Sequence, residues 1–152
     1  MTAGTAERDT AASQAHRTTV TVRGYEIDAL GHVAHTVYLQ YAEHARWECL
    51  AAAGLPATTL LTNGVMPVML ETTISYRSEL RYDETVEIGC EFTWGEGKTA
   101  RIVQPLVRAS DGVVAAQVSS VAGLMDLARR RLVAEPRPRL RELAARPELL
   151  GV

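Results

Sequence analysis

The chain has 152 residues, 47% of them apolar and 22% charged, with a formal net charge of -2, the profile of one ordinary globular domain. So balanced a charge gives no general electrostatic case for nucleic acid or a membrane surface, and no apolar run is long enough to span a bilayer. Arginine far outnumbers lysine, Lys98 being the single lysine; Arg129, Arg130 and Arg131 read first as a solvated strand end and second as a local phosphate clamp.

Residues 1–17 carry mixed charges and lack the apolar centre of a signal peptide, so a disordered leader is expected there. Cys49 and Cys90 have no CxxC partner and no metal-type companion, which predicts reduced, packed thiols and a cytoplasmic protein. Thr18 to Tyr25 alternates, with Val20 and Val22 on one face, and predicts a first strand. From Val37 to Ala53 the period becomes helical: Tyr38, Tyr41, Ala42, Ala45 and Cys49 share a face, Gln40, Glu43 and Glu48 take the other, and Gly54 with Pro56 ends the run. A short connector is expected around Thr58 to Gly64.

Alternation then returns. Val68, Leu70, Thr72, Ile74 and Tyr76 are read as facing one way, and Val86, Ile88, Cys90, Phe92 and Trp94 repeat the pattern. Turns at Gly95–Lys98 and Ser110–Gly112 make the flanking strands hairpin neighbours, and Pro105 predicts an edge position or a bulge for the strand Thr99 to Arg108. The last strand, Val113 to about Leu127, is apolar on both faces, so a second copy is expected to cover a face or extend an edge. Residues 18–131 form the expected domain, and 132–152 a tail with a possible short helix. The class is α+β: an antiparallel sheet with one long helix.

Between the first strand and the helix lies Asp28, in a loop broken by Gly31. A helix start offers unpaired N–H groups and partial positive charge, so a carboxylate beside it can attack, or direct water at, a polarised carbonyl. The amides of Val33 to Val37 would be the oxyanion donors. On spacing alone, Asp28 is equally a turn or capping residue, Gly31 a plain loop glycine and Thr36 the helix N-cap. His32, His35 and His44 do not sit together on a rigid element, so no metal site is expected. Glu43 and Glu48 are rival acids, Glu71 a weaker one, and Tyr38, Tyr41 and Trp47 are either pocket or core. The chain has no Gly-x-Ser-x-Gly elbow and no phosphate-binding glycine loop.

The run Asp28-Ala29-Leu30-Gly31-His32-Val33-Ala34-His35, followed by Tyr38-Leu39 and Glu43-His44-Ala45-Arg46, resembles the hotdog-fold acyl-CoA thioesterases, in particular the 4-hydroxybenzoyl-CoA thioesterase-like branch. Leu70–Tyr76 with Leu80–Glu84 carries a second part of the likeness. The resemblance implies a five-stranded antiparallel sheet wrapped around one central helix and no metal or redox cofactor. It implies an acyl-CoA or acyl-carrier-protein thioester as substrate and a homodimer or homotetramer with sites near the subunit joint. It maps the catalytic carboxylate onto Asp28, as nucleophile or general base, and the oxyanion amide onto His35. Gly31, His32, Thr36 and Tyr38 become candidate substrate contacts, and Arg77, Arg81 or Arg129 to Arg131 candidate partners for CoA phosphates. The chain departs from the asparagine frequent in that family's loop, having Ala34, Thr36 and Val37 instead. A hydratase or dehydratase using His35 with Glu43 or Glu48, and a non-catalytic acyl-thioester-binding module, are the alternatives.

Overall fold

Strand β1 spans His16–Thr21 and leads through a 3-10 turn, Gly24–Glu26, to the long helix α1, His35–Ala52. The structure is a computed structural model and describes residues 15–152. The expected leader therefore lies mostly outside the described residues, with His16 and Arg17 belonging to β1. A short helix α2, Ala57–Thr62, precedes β2, Val65–Tyr76; β3, Thr85–Trp94, β4, Thr99–Arg108, and β5, Val114–Asp126, follow. A two-residue β6, Arg131–Leu132, the helix α3, Pro136–Leu143, and a 3-10 turn, Pro147–Leu150, complete the chain.

The sheet is antiparallel in the order β1-β3-β4-β5-β2, with β6 appended to β5. It curls around α1, whose inward residues Val37, Tyr38, Tyr41, Ala42, Ala45 and Cys49 recur at helical spacing. Ala42 and Ala45 are wholly buried, and their small side chains let the helix lie close against the sheet. The helix stops at Gly54, which adopts φ +87, a conformation open to glycine and strained for other residues.

Four details correct the sequence reading. The first strand ends at Thr21, because the Glu26 carboxylate accepts the Arg23 amide and winds Gly24–Glu26 into a turn. The connector after Gly54 contains the helix α2, anchored by buried Leu60. Pro105 is on the central strand β4 and not at an edge, while the alternative expectation of a bulge is met beside it, where the β4–β5 register shifts between Leu106 and Val107. On the other side the β3–β4 pairing lapses between Ile88↔Leu106 and Glu91↔Val103 without a change of register, and Gly89 leaves room for the proline ring at 3.3 Å from where a Cβ would stand. In β2 the register shifts between Met69 and Glu71, so Leu70 is an extra, exposed residue, and Val68 no longer shares a face with Thr72, Ile74 and Tyr76.

The core has two parts. One gathers around the first half of α1 with Val20, Val86, Ile88 and Leu106; the other lies under its second half with Leu55, Leu60, Ile102 and Leu124. The C-terminal segment closes the second part. Ala53 O accepts the amides of Ala145 and Arg146 at 2.9 and 3.1 Å, and Trp94 Nε1 donates to Leu150 O at 2.8 Å. Cys49 and Cys90 are buried free thiols there. Among the described residues no helix is long and apolar enough to cross a membrane.

Candidate active site

Glu26 is where the site begins to be built. Its side chain is almost fully buried, and its carboxylate accepts the Arg23 amide at 2.8 Å and the Tyr41 hydroxyl at 2.7 Å, with the Arg23 guanidinium 3.6 Å away. Burial and the neighbouring Glu26 push the Tyr41 hydroxyl well above its ordinary 10.0, so it stays a donor. The Glu26 carbonyl meanwhile accepts the Ala34 amide at 3.0 Å, and Leu80 O accepts that of Val33 at 2.8 Å. The loop from Ile27 to Val33 is thereby tied at both ends to the start of α1.

Within that loop Asp28 N donates to His32 O, and Gly31 N donates to Asp28 O, at 2.9 and 3.1 Å. Gly31 sits at φ +84, which such a tight reversal requires. One carboxylate oxygen of Asp28 accepts the Leu30 amide at 2.8 Å; the other lies 3.6 Å from His32 Nδ1. Asp28 thus fills the turn role read as one of its alternatives and still keeps an oxygen free of any backbone donor. Its side chain is 30% exposed and that of His32 28%.

At the helix start Ala34 is the N-cap and makes no side-chain cap bond, so Thr36, the alternative cap, is an exposed residue of the first turn. The amides of Val33, Ala34 and Val37 are all engaged, the last with Ala34 O at 2.9 Å. That leaves the amides of His35 and Thr36 as the open donors of the expected Val33–Val37 set, because a first helical turn has no internal acceptor for them. His35 is exposed, and its carbonyl accepts the Tyr76 hydroxyl at 2.8 Å. Tyr38 is buried in the core, its ring edge-on to Tyr76 at 5.2 Å. Burial raises its hydroxyl above the ordinary 10.0, opposed by a hydrogen bond with the Leu80 backbone.

A cavity of about 260 Å³ opens elsewhere, between the second half of α1, the sheet and the C-terminal segment. Trp47, Leu50, Met69, Phe92, Trp94 and Ile102 are among its wall residues, and Asp28 is not. The charged groups on the wall are Glu43 and Arg46, one turn apart on α1, with Glu43 about 12 Å up the helix from His35 at 1.5 Å rise per residue. Arg46 is half-buried and forms no ion pair among the described residues; its guanidinium donates to Gln104 Oε1 at 3.4 Å. The fully buried Gln104 in turn donates to Ala42 O at 2.7 Å. Burial pushes the Arg46 guanidinium below its ordinary value, with Glu43 opposing.

The remaining candidates scatter. Glu48 and Glu71 are exposed and off the cavity wall. Arg81 is ion-paired with Glu79, and Arg129 and Arg130 are exposed on the turn before β6, where Asp126 caps the Ala128 and Arg129 amides. Sequence reasoning missed Glu26 and the Tyr76 hydroxyl. A glutamate three residues after Arg23 is a capping-box spacing, the one local signal available for Glu26; Tyr76 had none beyond its strand period.

Residues 22–146 match the family model described as the Thioesterase-like superfamily. The long-chain acyl-CoA thioesterase FadM of Escherichia coli is 25% identical over 118 residues, 78% of this chain and 89% of that protein. The acyl-acyl carrier protein thioesterase ATL3 of Arabidopsis thaliana is 33% identical over 69 residues, 45% of this chain. The chain spans about half or less of the first curated relatives it matches, 52% of a protein of Aquifex aeolicus and 36% of ATL3. The 1,4-dihydroxy-2-naphthoyl-CoA thioesterase Slr0204 of Synechocystis superposes with a TM-score of 0.75 over 85% of this chain and 95% of its own, at 14% identity. The antiparallel sheet curled around one helix is thus the hotdog arrangement the resemblance implied, and the chain belongs to the Thioesterase-like superfamily.

Proposed function

We propose that this protein hydrolyses an acyl thioester, carried on CoA or on a carrier protein, with Asp28 as the carboxylate that attacks the carbonyl or activates water. The observation that carries the reading is local. A carboxylate with one oxygen free of backbone donors precedes, in the same tied loop, a helix start whose His35 and Thr36 amides are open. Charge developing on the thioester oxygen would meet those amides and the positive end of the α1 dipole. If Asp28 takes a proton from water, the hydroxide adds to the carbonyl carbon, the C–S bond breaks and the thiolate collects that proton; if Asp28 attacks, the C–S bond breaks to leave an acyl anhydride on Asp28 that a water then splits to acid and carboxylate. His32 stands 3.6 Å from the Asp28 carboxylate and positions it.

The active unit in this reading is a dimer. The outer edge of β2 is unpaired among the described residues and carries exposed Leu70 and Tyr76, and an unprotected edge of this length is a template for a second strand. Pairing two β2 edges would bring one subunit's Asp28 loop toward the other's cavity, which Met69 and Pro67 of β2 help to line. Glu43 supplies a second reading, since it stands on the cavity wall where Asp28 does not.

Thiol release from a panel of acyl, aroyl and enoyl thioesters tests the proposal, with Asp28→Asn and Glu43→Gln beside the wild type. An asparagine at position 28 can still accept the Leu30 amide, so the turn survives and the chemistry alone is removed. Asp28→Asn is expected to lose about a hundredfold or more in kcat with an unchanged melting temperature, as for removal of a general base. Full activity in Asp28→Asn with loss in Glu43→Gln would move the acid to the helix. Absorbance change on enoyl thioesters without thiol release would replace hydrolysis by hydration.

A further inference from the structure

We propose that the C-terminal segment, α3 with the turn Pro147–Leu150, is the gauge that sets how long an acyl group the protein accepts. The ligand's identity rests on the thioesterase reading; the gauge itself rests on the cavity. Its wall is apolar except at Glu43 and Arg46, and Leu140 from α3 and Leu150 from the terminal turn are part of that wall. Leu140 lies within the residues matched to the family model and Leu150 beyond them.

The segment is held tightly enough to act as a wall. Trp94, itself on the cavity, fixes Leu150 through the 2.8 Å bond from its indole N–H to the Leu150 carbonyl. Gly151 follows at φ +70, and a Cβ there would stand 2.6 Å from Phe92 O, so the tail packs directly on the β3 backbone. Leu140 and Leu150 are both buried.

Volume and charge then define the guest. At about 30 Å³ per heavy-atom group, the share of a water in the liquid, 260 Å³ holds about nine such groups. That suits a medium-length straight acyl chain or a single ring with a short arm. Among the described residues Arg46 is a half-buried cation that forms no ion pair, Glu43 one turn away acting on it only through space, so the ligand's carbonyl or carboxylate oxygen belongs at that end and its apolar tail runs toward Leu140 and Leu150.

The chain's two tryptophans, Trp47 and Trp94, both line the cavity, so intrinsic fluorescence reads its occupancy without any turnover. Titrating the full chain with straight-chain alkanoic acids of graded length should give affinity rising roughly fourfold per added methylene until the guest reaches about nine heavy atoms, then a break. Leu150→Ala should move the break to longer chains by up to about three carbons, the atoms removed, and Ala122→Leu, which fills the opposite wall, should move it to shorter ones. Leu140→Ala repeats the enlargement should Leu150→Ala fail to fold. Affinity climbing without a break, a break that no wall variant moves, or no fluorescence change would overturn the gauge. A break that moves as expected, with no thiol released from any thioester, would sustain the gauge and reject the hydrolase reading. Thiol release whose length profile ignores the wall variants would do the reverse.

Discussion

Tyr41→Phe removes one oxygen and nothing else, and that oxygen satisfies the buried Glu26 carboxylate at 2.7 Å. Hydrogen bonds to charged groups contribute about 1.5–3 kcal/mol, and the carboxylate left behind keeps the Arg23 amide, so a destabilisation of about 2 kcal/mol is expected. For a chain of this size that is a fall of about 4–8 °C in melting temperature. Because Glu26 also binds the Ala34 amide through its carbonyl, a looser Glu26 frees the loop that carries Asp28, and kcat should fall while the rest of the core stays intact. The alkaline limb supplies a second signature. The Tyr41 hydroxyl is raised in the folded state, so its contribution is complete below the ordinary 10.0 and is lost as pH climbs through the raised folded value. Tyr41→Phe should remove that portion and leave the part due to Tyr38, which is raised as well. Urea unfolding near neutral and at alkaline pH, combined with Glu26→Gln in a double-mutant cycle, measures the coupling directly. A stability within about 0.5 kcal/mol of wild type and zero coupling between the two positions would refute the reasoning.

Gly31→Ala should lower stability by about 1–2 kcal/mol through backbone strain alone, since φ is +84 and a Cβ there meets nothing within 4 Å; calorimetry of the variant checks it. Turnover in that variant should fall further than stability does, because the turn it strains is the one Asp28 closes. Arg108 holds Asp111, Ser78 and the Glu79 carbonyl together, and its hydrogen bond keeps the Asp111 carboxyl below the ordinary 3.8. That contribution is present above 3.8 and disappears as pH falls through the lowered folded value, so Asp111→Asn should flatten the acid limb of an unfolding curve at low salt. Cys90 is raised by its contact with Cys49 and by burial, whereas the same contact lowers Cys49; both side chains are shut off from solvent, so both thiols should resist alkylation until the protein is unfolded, as a thiol titration with and without denaturant would report.

What could be read from the sequence was whatever short-range periodicity encodes. The inward stripe Tyr38, Tyr41, Ala42, Ala45 and Cys49 and the alternation through Val86, Ile88 and Cys90 are both satisfied in the fold, since each records which face a residue must bury. The juxtaposition of Asp28 with the start of α1 was legible for the same reason: only a few residues separate them, and Gly31 marks the reversal. The β2 reading failed because a single unpaired residue, Leu70, inverts the faces before it, and nothing in an alternating string distinguishes a bulge from a regular strand.

Glu26 and the cavity were hidden for a stronger reason. A glutamate in a turn is ordinarily solvated; this one is buried because Tyr41, fifteen positions away and one full loop later, brings a hydroxyl to it. The cavity likewise needs α1, β2, β3, β4, β5 and the last few residues of the chain to converge, and no local pattern reports a void. The two halves of the problem therefore divide along α1. Its first turn, with the loop before it, offers the polar groups that can act on a carbonyl, and its later turns, with the C-terminal segment, offer the space that can hold an acyl chain. A single copy keeps these about 12 Å or more apart along the helix, a separation set by the 1.5 Å rise per residue. A thioester whose carbonyl sits beside Arg46 cannot at the same moment lie against the same subunit's His35 and Thr36 amides. Joining them is what the unpaired β2 edge would accomplish, which makes turnover in a monomeric Leu70→Lys variant the sharpest check. Loss of thiol release with the fatty-acid fluorescence break retained is the expected result, and undiminished turnover in a proven monomer would place both functions within one chain.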